Sequence, residues 1–291
     1  MKIGIIEAHA VLGSNRVKIE ELTESVELQQ ILKNNGLLEI CTDNERTALS
    51  MVEEVFYQFQ EKPDYIILAH SLPYLAGNNS GFCSDFLKIP MINICGIPCC
   101  IMHQAVHDAV TLIQSRKYSK VLIIGIDKCY INSERIFFGT AMSDSAVGIM
   151  LSDEAKNNFI CGTKVSTRII ASNGALSDEK AIAAFRAGNP SFIRNVILDC
   201  LAESQYSMED INFIVCHTSN RGIWDQVSIL TKIPRGRFLD NNISKTGHMN
   251  SNDSFYHYLD FVKCGIIEQG QLVALVNPGF GGSQGCTLIK C

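Results

Sequence analysis

Two stretches of the chain match each other, Lys62-Pro63-Asp64-Tyr65-Ile66-Ile67-Leu68-Ala69-His70 and Met208-Glu209-Asp210-Ile211-Asn212-Phe213-Ile214-Val215-Cys216-His217. Each follows a predicted amphipathic helix and combines a short acidic turn, a continuous apolar run and a histidine that opens a polar loop. Continuous apolar runs of this length are typical of strands that helices bury on both faces. Because the two stretches lie at similar points of two halves, they indicate a duplicated α/β unit.

The rest of the chain continues this alternation of strands and helices. Further buried strands are predicted over residues 121–125 and 272–276. Amphipathic helices are predicted over residues 45–60, 99–115, 190–205, 222–232 and 253–268. The polar segment 152–158 is the predicted boundary between an N-terminal half, residues 1–155, and a C-terminal half, residues 156–291.

Composition excludes several classes of protein. The 291 residues are 46% hydrophobic and 19% charged, which is ordinary globular usage and argues against extensive disorder. A net charge of −5 is not the electrostatic signature of a nucleic-acid binder. No apolar run approaches the roughly 18 residues of a membrane span. Because Glu7 and His9 interrupt the first apolar residues, no signal peptide is expected, and the sequence predicts a soluble, cytoplasmic protein.

The twelve cysteines are scattered through apolar segments and form no CxxC pair. In a chain that can build a large core, most are expected to be small buried hydrophobic residues. The one cluster comprises Cys95, Cys99 and Cys100, and no second cluster completes a zinc tetrad. The sequence therefore predicts no metal site.

Cys99 stands out within that cluster. It follows the turn Gly96-Ile97-Pro98 and opens the helix predicted over residues 99–115. Unpaired backbone N–H groups and the positive end of a helix lower the pKa of a thiol placed there. A strand, a tight turn and a nucleophile at the start of a helix is a recurring active-site arrangement. An inert buried thiol is the alternative that local sequence leaves open.

Polar residues also appear where other strands stop. His217 follows the apolar run that ends at Cys216, and His248 lies in the polar segment 246–253, in which Asn252 or Asp253 is a candidate helix cap. Residues at strand-to-helix junctions gather at one edge of a sheet, which favours a shared site over isolated structural histidines. The glycine-rich stretch 279–283 is either a flexible turn or a source of backbone N–H groups for a developing oxyanion.

Five segments, in the correct order, resemble motifs of the beta-ketoacyl-acyl-carrier-protein synthase III family. They are the cysteine helix and following strand over 99–125, the glycine-rich segment 138–146, His217-Thr218-Ser219-Asn220, the segment 247–254 and the C-terminal glycine loop 280–282. The resemblance implies a thiolase-like fold of two duplicated α/β halves in a layered αβαβα arrangement.

The resemblance also implies roles for individual residues. Cys99 would be the acyl-accepting nucleophile, with His217 as the catalytic histidine, and the backbones of Cys99 and Gly282 would form the oxyanion hole. His248 stands where the family usually carries an asparagine, so the catalytic set is expected to be Cys99, His217 and His248. Asn220 and Asn250 are candidate supporting residues.

The function implied is an acyltransferase that forms an acyl-cysteine from an acyl-CoA or acyl-carrier-protein thioester, with no cofactor. The favoured second step is a decarboxylative Claisen condensation with a malonyl thioester, in specialised polyketide or fatty-acid-derived metabolism. The alternatives are an ester- or amide-forming acyltransferase, a non-catalytic ketosynthase-like subunit and a cysteine hydrolase. The expected assembly is a homodimer or heterodimer, with neither nucleic acid nor membrane as partner.

Overall fold

A computed structural model describes residues 1–71, 88–168 and 177–291, so that Cys83 lies outside the described residues. The strands are β1 (Gly4–Leu12), β2 (Asn15–Lys18), β3 (Glu39–Thr42), β4 (Tyr65–His70), β5 (Met91–Cys95), β6 (Lys120–Asp127), β7 (Ile136–Phe137), β8 (Thr140–Ala141), β9 (Ser145–Ser152), β10 (Phe159–Thr167), β11 (Phe213–Cys216), β12 (Phe238–Leu239), β13 (Leu272–Pro278) and β14 (Ser283–Lys290). The helices are α1 (Ile19–Leu22), α2 (Val26–Asn34), α3 (Ala48–Phe56), α4 (Ile101–Gln114), α5 (Glu179–Ala202), α6 (Gly222–Thr231), α7 (Ile243–Thr246) and α8 (Asp253–Lys263).

Ten of the strands form one sheet in the order β12-β11-β13-β14-β10-β1-β9-β6-β4-β5. Counted outward from the central strands β10 and β1, the two sides of the sheet have the same pattern of parallel and antiparallel neighbours. β4 lies parallel to β5 and β6, and β9 lies antiparallel to β6 and β1. In the other half β11 lies parallel to β12 and β13, and β14 lies antiparallel to β13 and β10. The predicted duplication is therefore confirmed, and the matching strands β4 and β11 occupy equivalent positions.

Helices cover both faces of each half. The central hydrophobic cluster contains α4 residues such as Val106 and α8 residues such as Phe255, packed against strands of both halves. A second cluster places α3 on the outer face of the N-terminal half, and a third places α5 and α6 on the outer face of the C-terminal half. The sequence of layers is thus αβαβα, as the resemblance implied. The burial of apolar faces in three separate clusters is what holds these layers together.

The predicted helices exist, but their ends differ. The largest difference is α5, which was predicted to begin at Pro190 and begins at Glu179 instead. The Asp178 carboxylate caps it by accepting a hydrogen bond from the Ala181 N–H at 2.7 Å. Pro190 lies inside this helix, so a proline was here a poor marker of the helix start. The division at residues 155 and 156 stays a prediction, although β9 ends at Ser152 and β10 begins the second half of the sheet.

Two composition-based expectations can be compared with the described residues. Seven of the eleven cysteines in the described ranges are buried and none forms a disulfide: the buried ones are Cys41, Cys99, Cys100, Cys129, Cys200, Cys216 and Cys286. Within the same ranges, none of the helices combines the length and apolar character needed to cross a membrane.

Candidate active site

Cys99 lies in the short loop between β5 and α4. Its backbone has φ 59, in the left-handed region that non-glycine residues rarely adopt. The helix begins at Ile101, so the expectation that Cys99 opens the helix is wrong by two residues. A strained residue between a strand and a helix holds its side chain away from both elements, and such strain is typical of functional positions.

Several hydrogen bonds fix this loop. The Asn277 side-chain amide at the end of β13 donates to the Cys99 carbonyl oxygen at 2.9 Å. The Cys99 N–H donates to Ser71 Oγ at 3.3 Å. The neighbouring thiol, Cys100, is fully buried and donates to the Asn277 carbonyl oxygen at 3.1 Å. Cys100 is therefore committed to a structural contact, and Cys99 is the thiol that faces the histidines.

Burial raises the pKa of the Cys99 thiol well above its ordinary value, and the nearby Cys100, Asp253 and Asp127 raise it further. The expectation that the helix end lowers this pKa is therefore wrong, because desolvation and two carboxylates outweigh the helix dipole. The thiol is protonated at neutral pH. A base must remove its proton before the sulfur can attack.

His248 is positioned to accept that proton. Its Nε2 lies 3.8 Å from Cys99 Sγ, and the side chain is buried. Backbone hydrogen bonds tie the residue to the N-terminal half, since its N–H donates to the Ala141 carbonyl oxygen at 3.0 Å. The preceding Gly247 has φ 62, and a Cβ there would lie 2.6 Å from Ile40 Cγ2 and 2.7 Å from Ser143 Oγ. Glycine is required at this position for the loop to bring His248 to the thiol.

His217 follows β11 directly and packs edge-on against His248, with ring centroids 4.5 Å apart. Its Nδ1 lies 2.9 Å from Ser219 Oγ, and its Nε2 is buried without a hydrogen-bond partner. Burial lowers the pKa of His217 to about 3, so the ring is neutral at physiological pH. One atom of each of Cys99, His217 and His248 lies within 4.8 Å of the other two. The structure therefore brings together the three residues that the sequence predicted as the catalytic set.

The carboxylate of Asp253 joins the two histidines and was not predicted to belong to the site. Its Oδ2 lies 2.8 Å from His248 Nδ1 and 3.4 Å from His217 Nε2. The backbone N–H groups of Thr218 and Met249 donate to the same carboxylate at 2.9 and 2.6 Å. Burial raises the pKa of Asp253, but the charges of His248 and His217 and the hydrogen bond from His248 outweigh it and lower the pKa below its ordinary value. Asp253 was expected to be a helix cap, and instead it orients the histidines.

The glycine-rich loop that includes Phe280 and Gly282 lies beside Cys99. The backbone amide of Phe280 opposes the rise in the pKa of the Cys99 thiol. The Gly282 N–H bonds weakly to the Gly279 carbonyl oxygen at 3.4 Å. Gly282 has φ 107, and a Cβ there would lie 1.8 Å from the Arg168 carbonyl oxygen. Gly282 shapes the loop, and the oxyanion-hole role implied for the backbones of Cys99 and Gly282 stays a prediction.

The two candidate supporting asparagines have other contacts. Asn220 is exposed, and its side-chain oxygen accepts a hydrogen bond from the Gly222 N–H at 2.8 Å, at the start of α6. Asn250 is buried with φ 52, and its carbonyl oxygen accepts a hydrogen bond from Asn277 at 3.4 Å. Neither side chain has a hydrogen bond to Cys99, His217 or His248 in the part of the chain that the structure describes. The Nδ2 atom of Asn250 is buried without a hydrogen-bond partner, and the supporting role of both asparagines stays a prediction.

The same three side chains could hold a metal ion. A thiolate and two imidazoles are ligands that zinc prefers. The hydrogen bonds that the histidines form with Ser219 and Asp253 resemble the outer contacts of metal sites. The prediction that the protein has no metal stays a prediction. The hydrogen-bonded arrangement of thiol, imidazole and carboxylate is sufficient for nucleophilic chemistry by itself.

Sequence comparison places the chain near one family. Residues 201–291 match the C-terminal family described as 3-Oxoacyl-[acyl-carrier-protein (ACP)] synthase III. The beta-ketoacyl-[acyl-carrier-protein] synthase III of Streptococcus pyogenes serotype M2 (strain MGAS10270) is 26% identical over 191 residues. That alignment covers 59% of this chain and 58% of the relative.

Comparison of structures extends the likeness to the whole chain. The 3-oxoacyl-[acyl-carrier-protein] synthase III from Aquifex aeolicus VF5 superposes with a TM-score of 0.81 at 19% identity, covering 99% of this chain and 100% of that one. OleA from Xanthomonas campestris gives a TM-score of 0.82 at 9% identity, covering 100% and 99% of the two chains. At these identities the likeness shows the fold. Taken together with the sequence matches, it confirms the predicted resemblance to the beta-ketoacyl-acyl-carrier-protein synthase III family.

Proposed function

We propose that the protein is an acyltransferase of the condensing-enzyme type, which takes an acyl group from a thioester onto Cys99 and transfers it to a second substrate. One observation carries this proposal: Cys99 Sγ lies 3.8 Å from His248 Nε2, and His248 Nδ1 lies 2.8 Å from the buried Asp253 carboxylate. A thiol, a base and a group that orients the base form the minimal set for nucleophilic acyl transfer.

Each step of acyl loading has a residue that supports it. His248 Nε2 accepts the Cys99 proton as the sulfur attacks the thioester carbonyl carbon, and Asp253 stabilises the imidazolium that forms. The proposed donors to the developing oxyanion are the backbone N–H groups of Cys99 and Gly282 and the buried Nε2 of His217, which has no hydrogen-bond partner. When the carbon–sulfur bond of the donor breaks, the leaving thiolate takes the proton back from His248. The product is acyl-Cys99 and a free thiol.

A thioester donor accords with what the relatives are named for. Acyl-carrier-protein synthases are among the sequence and structural relatives. A structure of OleA from Xanthomonas campestris contains bound lauroyl-CoA. We therefore propose an acyl-CoA or acyl carrier protein as donor, with no resident cofactor, because a thioester already carries an activated acyl group. The dimeric assembly, the cytoplasmic location and a place in specialised metabolism remain predictions.

A non-catalytic subunit would not need this geometry. The positive φ of Cys99 costs stability, and a purely structural partner has no use for that strain. Strain at the residue whose thiol faces His248 favours an active enzyme over a structural partner.

The experiment is intact-protein mass spectrometry after incubation with acetyl-CoA, butyryl-CoA and lauroyl-CoA, with and without an acyl carrier protein. We expect the mass to increase by one acyl group in the wild-type protein. An unchanged mass with every thioester would contradict the proposed function. A gain that persists when Cys99 is replaced would contradict the assignment of the nucleophile.

A further inference from the structure

Two loops from different halves of the fold meet at the reactive cluster. The nucleophile loop, residues 96–100, joins β5 to α4 and presents the Cys99 thiol. The histidine loop, residues 247–252, joins α7 to α8 and presents His248. The distance of 3.8 Å between Cys99 Sγ and His248 Nε2 therefore depends on what holds the two loops together.

The buried side chain of Asn277, near the end of β13, contacts both loops. Its amide nitrogen donates to the Cys99 carbonyl oxygen at 2.9 Å. The same nitrogen also donates toward the carbonyl oxygens of Ser251, at 3.2 Å, and Asn250, at 3.4 Å, both in the histidine loop. Because the amide nitrogen carries two hydrogens and the amide oxygen carries none, these contacts exist in only one of the two orientations of the amide.

The oxygen of this amide faces a buried histidine, His103, in the first turn of α4. Asn277 Oδ1 and His103 Nε2 are both buried, and neither has a hydrogen bond to another group in the described part of the chain. Burial lowers the pKa of His103 to about 3, so that the ring is neutral, and a hydrogen-bonding contact with the Asn277 side chain opposes this shift. A contact that raises the pKa of a histidine is one in which the ring N–H donates, here to the Asn277 oxygen.

The ring of His103 is held in place from the C-terminal half of the sheet. Its Nδ1 lies 2.8 Å from Thr287 Oγ1 on β14, and the Thr163 hydroxyl on β10 donates to its backbone carbonyl oxygen at 3.2 Å. Gly285, which pairs with Asn277 across β13 and β14, leaves room for the ring, because a Cβ there would lie 2.3 Å from His103 Cδ2. A neutral imidazole is thus fixed beside the amide, where its N–H favours the orientation that bonds both loops.

Resting on the proposed acyl-enzyme, we propose that Asn277 is a positioning residue, which holds Cys99 and His248 at their working distance. His103 keeps the Asn277 amide turned toward both loops. The hydrogen bonds of this amide go to backbone carbonyl oxygens, so Asn277 acts through the loops and not on the reacting atoms. Its role does not depend on the acceptor, since loading and any later transfer use the same Cys99 thiol.

The first test is Asn277→Leu, because leucine has a similar branched shape and no hydrogen-bonding group. Single-turnover acylation uses acetyl-CoA, butyryl-CoA or lauroyl-CoA, whichever loads the wild-type protein fastest, and is quenched at successive times and followed by intact mass. It gives the rate constant at saturation, the half-saturating concentration and the final acylated fraction. We expect the rate constant to fall by about 10²-fold, the order that misplacement of reacting groups by about 1 Å costs, with the other two quantities nearly unchanged. A merely structural role would lower the acylated fraction along with the folded fraction and leave the rate constant unchanged.

A second pair of variants tests His103 and needs no change at Asn277. Glutamine can place an amide N–H near the position of the histidine Nε2, whereas leucine places none there. We expect His103→Leu to slow loading by about 10-fold, the order of one lost hydrogen bond, and His103→Gln to recover most of that loss. Thr231→Val, which removes a buried hydroxyl bonded within α6, is the control for loss of a buried polar group and should leave the rate constant unchanged.

The positioning role and the proposed function fail in different ways. A wild-type protein that takes no acyl group from any of the three thioesters contradicts the proposed function, and the positioning role with it. A wild-type protein that loads, with an equal rate constant in Asn277→Leu, overturns the positioning role alone. Should Asn277→Leu fail to fold, equal rate constants in His103→Leu and His103→Gln overturn it, and slower loading by His103→Leu that glutamine restores supports it.

Discussion

The two halves of the fold contain equivalent strand–loop–helix units that have diverged in what they present. In the N-terminal half, residues 96–100 join β5 to α4 and present the Cys99 thiol in a left-handed conformation. In the C-terminal half, residues 240–252 join β12 to α8, and this longer loop presents His248 before Asp253 begins the helix. Neither unit could perform acyl transfer alone. The duplication teaches that one fold can supply a nucleophile and its base from symmetry-related positions.

The matching histidines show the same divergence. His70 ends β4, and the next residue, Ser71, accepts the Cys99 N–H at 3.3 Å. His217 follows the equivalent strand β11 and belongs to the reactive cluster itself. Asp127 ties the halves together, since its carboxylate accepts hydrogen bonds from the Ser71 N–H at 2.7 Å and the Ser251 hydroxyl at 2.8 Å. One half thus supports the thiol, and the other half activates it.

The largest expected effect separates two adjacent thiols of the N-terminal unit. Cys99→Ala should abolish acyl loading, whereas Cys100→Ala should retain most of it, because the Cys100 thiol is turned away to the Asn277 carbonyl oxygen. Intact-protein mass after incubation with lauroyl-CoA measures both. Loading that survives in Cys99→Ala and disappears in Cys100→Ala would show that the wrong thiol has been assigned.

Asp253→Asn is the strongest test of the C-terminal unit. An amide in this position can donate to His248 Nδ1 and so move the ring hydrogen to Nε2, which removes the lone pair from the thiol. The corresponding change in serine proteases lowers kcat about 10⁴-fold with the geometry intact. We expect a loss of similar order in the loading rate, measured by stopped-flow release of free thiol.

A purely structural role for Asp253 predicts a different outcome. The rate should then fall in proportion to the folded fraction, and its dependence on pH should not change. With the orienting role, activity of Asp253→Asn should recover partly as pH rises and hydroxide replaces the lost base. A uniform loss at every pH would argue against the account.

The sequence predicted the strands and the cluster for identifiable reasons. Continuous apolar runs at Tyr65–His70 and Phe213–Cys216 are enough to predict buried strands, and the order of motifs along the chain predicts that Cys99, His217 and His248 converge. These features depend on local composition and on topology, which sequence patterns record well.

Two members of the site could not be predicted. Asp253 is the first residue of α8, and an acidic residue there is an ordinary helix-terminus signal. Only the path of the loop from β12 shows that its carboxylate meets His248. Phe280 contributes a backbone N–H, a group that every residue except proline carries, so that no side-chain pattern marks it. The one available signal was an acidic residue, Asp253, five residues after the candidate histidine His248.

The glycine loop offers a test of stability. Gly282→Ala places a Cβ against the Arg168 carbonyl oxygen, 1.8 Å away, whereas a Cβ at Gly265 meets nothing within 4 Å. Both residues have positive φ, so both substitutions include a backbone cost of about 1–2 kcal/mol. We expect Gly282→Ala to lower the free energy of unfolding by about 1–3 kcal/mol more than Gly265→Ala. Equal losses in urea titrations would show that the loop adapts.

The smallest effect concerns the pH dependence of folding. Because burial lowers the pKa of His217 from 6.5 to about 3, the unfolded chain binds more protons between these values. The stability that the neutral His217 ring contributes is therefore fully present above pH 6.5 and is lost as the pH falls toward 3. Each such group contributes a slope of up to about 1.4 kcal/mol per pH unit.

His217→Gln should reduce the dependence of the unfolding free energy on pH between pH 6.5 and 4.5. The reduction should correspond to at most one fewer proton bound on unfolding. His107→Gln, at an exposed position, should leave the slope unchanged. Urea unfolding at several pH values measures both variants, and an unchanged slope in His217→Gln would contradict the assigned burial of the neutral ring.

The central claim is that Asp253 fixes the hydrogen of His248 on Nδ1 and leaves a lone pair on Nε2 facing Cys99. Long-range ¹H–¹⁵N NMR of protein labelled at histidine nitrogens measures this tautomer directly, with His248→Asn used to assign the signal. We predict a protonated Nδ1 and an unprotonated Nε2 at neutral pH in the wild-type protein, and the reverse in Asp253→Asn. A hydrogen on Nε2 of wild-type His248 would contradict the account.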